Sequence, residues 1–532
     1  MSDNLRAAVI SPSAAQSALS FRSAAAAGAV ILAVSAASLS FFYFQGLTNI
    51  YGDALTHMGG ARRIFDSLTP GLGEVGSVWL PLYHLLVAPL AINNHLWRTG
   101  LAGSLVSVAA FSASAWFIFR LAFEMNGSTA AAAVALGGFL ICPNMLYAAS
   151  TPLTESTAIL WAVLVVYGLF RYQMSGRMAC VIGAAAAAFC GSLTRYDAWY
   201  VLPFAALFIL LVRPEVAWER RLLRAVLFVV IAGTGPALWL LHNAHRYGNP
   251  FEFYNGPYSA QAIYAHQLAT TAFRYPTDGS LLTAARYYME DVKLVVGPWS
   301  LELAALGLVA WAADRRMRAR RATALLLLIP LPFYVQSMAR AAVPIYVPAL
   351  FPYSYYNLRY GLELLPATAV LASFLLPQRL PRGIQTCVLV LCLAVFGAQG
   401  VVMLSKGAHQ LPIVKEGIRN SPCRLNTDKA LIAFFQHHYD GGRILMNTGE
   451  WPCVMPALGI PYRNTLGDLN HKYWLRLPKE SESLVEWIVR GEGDAVDQLM
   501  RAYPDTFTGF KPVFHVPAPR QRSVTVYRRE KG

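Results

Sequence analysis

Charged residues are scarce in this chain: only 14% of its 532 residues are Asp, Glu, Lys or Arg, against roughly 25% in soluble domains. Hydrophobic residues make up 56% of the chain, and its mean hydropathy is +0.41. This composition excludes an ordinary soluble or disordered protein. It indicates instead a protein that crosses a membrane many times.

Cysteine is scarce as well, and the seven cysteines include no CxxC pair of the kind that holds a metal. Five of them lie in apolar segments, where cysteine acts as a small hydrophobe. Cys423 and Cys453 lie in the polar C-terminal part and could form a disulfide if that part is extracytoplasmic. The sequence therefore predicts no cofactor and indicates no metal, although a divalent cation is compatible with it.

The chain is nonetheless basic, with a formal net charge of +15. Its arginines gather between apolar runs, above all in 213–224 and 314–321, as the positive-inside rule predicts for cytoplasmic loops. The charge therefore does not indicate nucleic-acid binding. Counting spans outward from these loops predicts a cytoplasmic N-terminus at 1–23, and it also places Arg379 and Arg382 on the cytoplasmic side.

Hydropathy divides the chain into a membrane part, 24–404, and a more polar part, 405–532. Within the first extracytoplasmic loop, 47–98, the apolar stretch 78–92 is too short for a span and predicts an interfacial helix. The polar part mixes helix-like and strand-like patterns, which predicts an extracytoplasmic α/β domain. The predicted fold is a polytopic α-helical protein of the inner (plasma) membrane. About eleven spans are predicted, at 24–46, 99–119, 129–148, 157–170, 178–193, 199–212, 222–241, 292–313, 322–337, 361–376 and 384–404.

The first loop contains ionisable residues at a membrane boundary, where such groups often mark a site. Asp53 could act as a general base, or it could cap a helix that begins at Ala54. His57 lies four residues further, on the same helical face, and could orient the acid, bind substrate, join a metal site or serve a structural role. Arg62 and Arg63 are expected to extend towards lipid headgroups.

Three later turns on the same side of the membrane also contain charge. Glu155 begins an apolar span, where it could cap the helix or face a cavity as a second carboxylate. Arg195 could pair with Asp197 or hold a lipid phosphate. Arg359 and Tyr360 repeat this pattern before another span. Two arginines facing one compartment favour an anionic lipid as the ligand.

Taken together, these motifs resemble the GT-C class of membrane glycosyltransferases that use polyprenyl-phosphate sugars. The likeness is to the bacterial protein mannosyltransferase and aminoarabinose transferase families, glycosyltransferase 39-like, and covers roughly 24–404. It rests on Asp53 with the downstream His and Arg-Arg, and on the stretches WLPLYHLL, TPLTES, LTRYDAW and NLRYGLELLP. Many relatives carry two adjacent acids in the first loop, whereas here Asp53 is followed by Ala54.

The resemblance implies transfer of a sugar, with inversion, from an isoprenoid phosphate carrier to an extracytoplasmic acceptor that is a lipid, a glycan or a protein. Asp53 matches the position of the catalytic base, and no metal ligand is assigned. The predicted substrate-binding residues are His57, Tyr83, His84, Glu155, Arg195, Asp197, Arg359 and Tyr360.

Two other functions fit a polytopic protein of this kind. A transporter or flippase would move a lipid-linked sugar without chemistry, and its charges should lie in mid-span near discontinuous helices. A non-catalytic envelope assembly protein would use its C-terminal domain to bind partners. If Asp53→Asn left the function unchanged, the transporter and the assembly protein would both be favoured over a transferase.

Overall fold

The computed structural model describes residues 19–315, 317–376, 380–518 and 523–530. Most of the predicted cytoplasmic N-terminus, 1–18, lies outside the described residues, as does Arg379.

Helices dominate the described chain up to the start of the C-terminal part. The first eleven are α1 Phe21–Phe44, α2 Gly52–Arg63, α3 Leu82–Ala91, α4 Asn94–Thr99, α5 Leu101–Asn126, α6 Thr129–Leu140, α7 Pro143–Ala149, α8 Glu155–Ser175, α9 Met178–Ser192, α10 Asp197–Leu211 and α11 Trp218–Tyr247. The next eight are α12 Glu252–Asn255, α13 Ala260–Thr271, α14 Leu281–Val295, α15 Pro298–Ala313, α16 Arg318–Arg321, α17 Pro330–Ala339, α18 Leu365–Ala372 and α19 Arg382–Leu404. Short 3₁₀ segments at Ala322–Leu328 and Leu358–Leu364 extend α17 and α18.

Each predicted span corresponds to a helix or a helix pair, which confirms a polytopic helical membrane protein. Within the described residues, seven helices are long and apolar enough to cross a membrane, or up to nine if each of two bent pairs is one span. Helices α9 and α10 are apolar but have only 15 residues each. By length and composition the structure thus supports fewer full spans than the predicted eleven.

Two predicted straight spans are broken in the structure. Helices α6 and α7 meet at 69°, where Pro143 begins the second helix, and α14 and α15 meet at 110°. The second break lies at Gly297, whose φ of 103° only glycine adopts readily, followed by Pro298. The carbonyl of Val295 next to this break is bonded by α7, because Asn144 Nδ2 donates to it over 3.0 Å.

Helix α5 is central to the membrane part and packs against α1, α6 and α8. Its small polar residues fix the neighbouring turn: Ser104 Oγ donates to the carbonyl of Ser150 over 2.8 Å, and Ser107 Oγ donates to that of Leu153 over 3.0 Å. Small residues let membrane helices approach closely and bond to one another. These contacts hold the turn that precedes Glu155, the first residue of α8.

The C-terminal part contains a mixed five-stranded sheet and short helices, in agreement with the predicted α/β character. Strands β1 and β2 are parallel, β1 and β3 are parallel, and β5 lies antiparallel between β3 and β4. The elements are α20 Pro412–Asn420, α21 Asn426–His438, β1 Ile444–Leu445, α22 Val454–Leu458, β2 Thr465–Leu466, α23 His471–Trp474, α24 Leu477–Leu484, β3 Trp487–Gly491, α25 Ala495–Ala502, β4 Phe510–Val516 and β5 Val524–Arg529.

The C-terminal part packs directly on the first loop. Met58 and Tyr83 of the loop share one hydrophobic core with Met455 and Tyr462. Arg98 strengthens the contact by donating to the carbonyl of Pro456 over 2.8 Å. Helices α2 and α3 are therefore held between the membrane helices and the C-terminal sheet.

Cys423 and Cys453 form a disulfide across a sequence separation of 30 residues. The bond joins the segment before α21 to the residue before α22, next to the interface with the first loop. The sequence left this pairing open, and the structure shows it.

Candidate functional site

Asp53 lies in the first turn of α2, which begins at Gly52 and not at Ala54 as the capping alternative supposed. Its side chain is 39% exposed, and its carboxylate accepts a hydrogen bond from Arg359 Nη2. The side chain therefore does not cap the helix. It accepts a hydrogen bond from Arg359, which lies 306 positions later in the chain.

Glu155 joins the two arginines that the sequence singled out. Its buried Oε1 accepts from Arg195 Nη1 over 2.9 Å and from Arg359 Nε over 2.8 Å. Glu155 is the first residue of α8, whose N-cap is Thr154, and its carboxylate bonds the two arginines and does not cap the helix. A buried carboxylate in this position offsets the desolvation of two guanidinium groups.

Arg195 has further partners on three different elements. Its Nε donates to Asp197 Oδ2 over 3.1 Å and lies 3.6 Å from the Glu363 carboxylate. Its Nη2 donates to the hydroxyl of Tyr334 over 2.6 Å, and that hydroxyl donates in turn to Asp197 over 3.0 Å. The predicted pairing of Arg195 with Asp197 is confirmed as part of this larger network.

Aromatic rings surround both guanidinium groups. The Tyr360 ring centroid lies 4.7 Å from the Arg195 guanidinium and 4.8 Å from that of Arg359. Tyr51 lies on another side of Arg359, at 4.9 Å. Tyr334 stacks on Tyr360 with centroids 5.2 Å apart. Rings in these positions attract the cations and limit the side-chain conformations of both arginines.

A residue of the C-terminal part completes the surroundings of Arg359. Glu416 of α20 accepts from the backbone amides of Asn357 over 2.6 Å and of Leu358 over 3.0 Å, and also from the hydroxyl of Tyr51. Burial raises the pKa of Glu416, against the opposing effect of the Arg359 charge and these hydrogen bonds. The C-terminal part therefore holds the start of the segment that carries Arg359.

His57 and His84 form a second group of ionisable side chains. His57 lies one helical turn after Asp53 on α2, and His84 lies on α3. His57 Nδ1 and His84 Nε2 are 3.0 Å apart, and His84 Nδ1 lies 3.2 Å from the Leu80 carbonyl. Trp79 lies beside the pair, with its ring centroid 4.2 Å from that of His57. Burial lowers the pKa of both imidazoles, that of His84 to about 4.

Tyr83, the remaining predicted residue, faces helix α5. It is fully buried, and its hydroxyl lies 3.1 Å from Ser107 Oγ and donates to the Gly103 carbonyl over 3.3 Å. The structure thus places Tyr83 as a support for α3 against α5 and not in the arginine cluster.

An apolar groove adjoins the cluster between α8, α9, α10 and the segment before α17. Its walls include Trp161, Val165 and Val201, while Asp197 and Glu363 lie at its edge. The groove therefore joins an apolar surface to the charged network.

Solved structures, but no family model and no curated sequence, are similar to this chain. Among solved structures, the chain is similar to ArnT from Cupriavidus metallidurans bound to undecaprenyl phosphate: the TM-score is 0.55 and the identity 14%, over 94% of this chain and 97% of that one. ArnT from the same organism in the apo state gives a TM-score of 0.52 and 16% identity, over 94% of this chain and 98% of that one. The chain has a GT-C fold. It is a multi-pass membrane protein, as its apolar helices also show.

Within this GT-C fold, six of the nine residues predicted for the site form one bonded cluster. They come from the starts of α2, α8 and α10 and from the 3₁₀ segment before α18. These residues are Asp53, Glu155, Arg195, Asp197, Arg359 and Tyr360.

Sequence reasoning missed three members of the cluster. Tyr334 lies inside an apolar run, and Glu416 lies in the part predicted to be a separate domain. Glu363 stands in the quoted stretch NLRYGLELLP and begins a span like Glu155, which was the available signal for it.

The expectation for Arg62 and Arg63 was wrong. Both side chains are buried: Arg62 Nε bonds Asp66 over 2.8 Å and its Nη1 donates to the Ala91 carbonyl, while Arg63 lies over the Tyr462 ring. The C-terminal part covers this end of α2, so neither arginine extends towards lipid. In the described part of the chain, no three His, Cys, Asp or Glu side chains are grouped as possible metal ligands.

Proposed function

We propose that this protein is a membrane glycosyltransferase that moves a sugar from a polyprenyl-phosphate carrier to an acceptor, with Asp53 as the general base. One observation carries the proposal: of the five carboxyl groups in the arginine cluster, Asp53 is the accessible one. Its side chain is 39% exposed, against 0% for Glu155, 9% for Asp197 and 4% for Glu363, and Glu416 is buried as well, with 2% of its surface exposed. A general base must reach the acceptor that it deprotonates.

The two arginines supply what the leaving group needs. Arg359 uses Nε and Nη2 in its bonds to Glu155, Asp53 and Tyr360, which leaves Nη1 as a donor outside that network among the described residues. Guanidinium groups in a water-poor site stabilise the charge that develops on a departing phosphate. A neighbour of the same fold is bound to undecaprenyl phosphate, and the groove that adjoins the cluster is lined mostly by apolar side chains.

The reaction follows from these positions. An acceptor hydroxyl or amine gives its proton to the Asp53 carboxylate and attacks the anomeric carbon of the sugar. The new bond to the acceptor forms as the bond from that carbon to the phosphate oxygen breaks. Polyprenyl phosphate leaves with the electron pair, next to Arg195 and Arg359. A single displacement of this kind inverts the anomeric centre.

Sidedness is part of the proposal. The disulfide between Cys423 and Cys453 suits an oxidising, extracytoplasmic compartment. The arginine-rich segments 213–224 and 314–321 suit the cytoplasmic side. The N-terminus is then cytoplasmic, and the site and the C-terminal part are extracytoplasmic.

The test is lipid mass spectrometry on cells that lack the protein and on the same cells given the wild-type chain. We expect a polyprenyl-phosphate sugar to accumulate in the first and to return to its usual level in the second. Its mass identifies the sugar. An unchanged lipid profile, with no loss of a glycosylated product, would overturn the transferase function.

A further inference from the structure

The hydrogen bonds of the histidine pair determine where its protons lie. A carbonyl oxygen only accepts, so His84 Nδ1, at 3.2 Å from the Leu80 carbonyl, carries a hydrogen. In a neutral imidazole the other nitrogen is then an acceptor, so His84 Nε2 accepts from His57 Nδ1 across 3.0 Å. His57 Nε2 is therefore the nitrogen that bears a lone pair.

The surroundings keep both rings neutral. His57 and His84 are buried, with 7% and 1% of their surfaces exposed. Besides each other, the charged groups that face them are Arg359 and Arg195 for His57 and Arg63 for His84, and all three repel an imidazolium. Burial and this repulsion lower the pKa of both groups, which leaves the relay of hydrogen bonds in place at neutral pH.

His57 Nε2 has no hydrogen-bond partner among the described residues. Unlike Nε2 of His242, this nitrogen is not fully buried, so a hydrogen-bond donor of a ligand can reach it. His57 lies one turn after Asp53 on the same face of α2, about 6 Å along the helix axis. The Trp79 ring is partly exposed and packs on the ring of His57, with centroids 4.2 Å apart and an angle of 36° between the ring planes.

We propose that His57 Nε2 accepts a hydrogen bond from a carbohydrate hydroxyl group while Trp79 packs on the sugar ring, and that His84 is a positioning residue that sets the His57 tautomer. This subsite rests on the proposed function, since it assigns the groups that bind the sugar beside the base. A neutral acceptor repels phosphate oxygens and selects a hydroxyl donor. A neutral acceptor also leaves the charges of Arg195 and Arg359 available to the phosphate. A carboxylate at the position of His57 would compete with the phosphate for these charges.

The hydroxyl belongs either to the transferred sugar or to a glycan acceptor, and steady-state kinetics distinguish the two. We expect His57→Leu to raise KM about ten-fold for whichever substrate carries the hydroxyl, with a much smaller change in kcat, because Asp53 is intact. His84→Leu should do the same, since it removes the acceptor for His57 Nδ1. His84→Gln should stay within about three-fold of wild type, because its side-chain carbonyl replaces that acceptor.

The matched control is His95→Gln, an exposed histidine on the same loop, which should leave both KM values unchanged. A second readout does not depend on activity. The protonation of each histidine nitrogen is measured by ¹⁵N NMR of histidine-labelled protein in lipid, and the His57→Gln variant assigns the signals of His57. We expect His57 Nε2 to be unprotonated in wild type and in His84→Gln, and protonated in His84→Leu.

Three results would overturn the subsite: an imidazolium or an Nε2–H at His57 in wild type, unchanged KM values in His57→Leu, or equal effects of His84→Leu and His84→Gln. If wild type transfers the sugar and the histidine variants have unchanged KM values, the subsite is excluded and the proposed function stands. Wild type that transfers no sugar from any polyprenyl-phosphate donor removes the proposed function, and the subsite with it.

Discussion

Arg359 and Glu155 form a buried ion pair across a sequence separation of 204 residues, with Arg359 Nε 2.8 Å from Glu155 Oε1. The same carboxylate oxygen accepts from Arg195, so a single side chain at the start of α8 holds two arginines from other elements. Glu155 is thus the structural centre of the cluster, while Asp53 lies at its exposed edge.

Glu155→Gln should destabilise the protein. The substitution removes the carboxylate that two buried guanidinium groups share, and leaves Asp53, Asp197 and Glu363 as their counter-charges. Removing one partner of a buried ion pair costs about 3–5 kcal/mol when no other counter-charge remains, so we expect a loss of stability below that range. The midpoint of thermal unfolding in detergent should fall well below that of wild type. Glu302→Gln, at an exposed position on α15, is the matched control. An unchanged midpoint in Glu155→Gln would contradict the central structural role of Glu155.

Arg359→Ala should weaken binding of polyprenyl phosphate. The carrier phosphate loses a charge-assisted hydrogen bond, which contributes about 1.5–3 kcal/mol. Binding of the lipid phosphate without a sugar should be measured, because Arg359 also bonds Asp53 and transfer rates would mix both effects. Arg359→Lys should recover only part of the affinity, since lysine lacks the forked geometry.

The control for this binding measurement is Arg286→Ala, at an exposed arginine on α14. Equal affinities of wild type and Arg359→Ala would remove the phosphate role of Arg359.

Removing the disulfide should lower stability. The Cys423→Ser/Cys453→Ser double substitution frees a loop with a sequence separation of 30 residues, and loop-closure entropy alone predicts a loss of about 3–4 kcal/mol. Thiol alkylation of intact cells, with and without reductant, measures the oxidation state in wild type. Free thiols at both positions without reductant would contradict the extracytoplasmic placement of the C-terminal part.

Asp428 should make stability depend on pH. Burial raises its pKa to about 7, so the folded protein binds a proton there more tightly than the unfolded chain, with a pKa of about 4. The stabilising contribution is therefore complete below about pH 4 and is lost as the pH rises through 7.

Asp428→Asn cannot ionise, so it should match wild type near pH 4 and be more stable above pH 7, by about 4 kcal/mol. Thermal unfolding across this pH range is the measurement, with the exposed Asp505→Asn as a control. A stability difference that grows as the pH falls would contradict the assignment.

Hydropathy predicted the helical membrane part because apolar runs of span length have few other solutions. It did not predict the breaks at Pro143 and Gly297, since an apolar run reads the same whether the helix is straight or bent. The charged members of the site were predictable because charge at a membrane boundary is costly, as for Asp53, Arg195 and Arg359.

Tyr334 and Glu416 could not be predicted in the same way. Tyr334 reaches Asp197 across 137 positions in the chain, and Glu416 reaches Tyr51 across 365. No local pattern marks contacts that only the packing of distant elements creates. The same holds for Arg63, whose side chain lies over the Tyr462 ring of the C-terminal part.

The most direct test of the account is the lipid profile of cells that lack the protein and receive Asp53→Asn. The substitution keeps the size of the side chain and removes its capacity to take a proton. We predict that the polyprenyl-phosphate sugar accumulates as in cells without the protein, while Asp505→Asn restores the wild-type profile and both variants reach wild-type levels in the membrane. A wild-type profile with Asp53→Asn would contradict the role of Asp53 as the base.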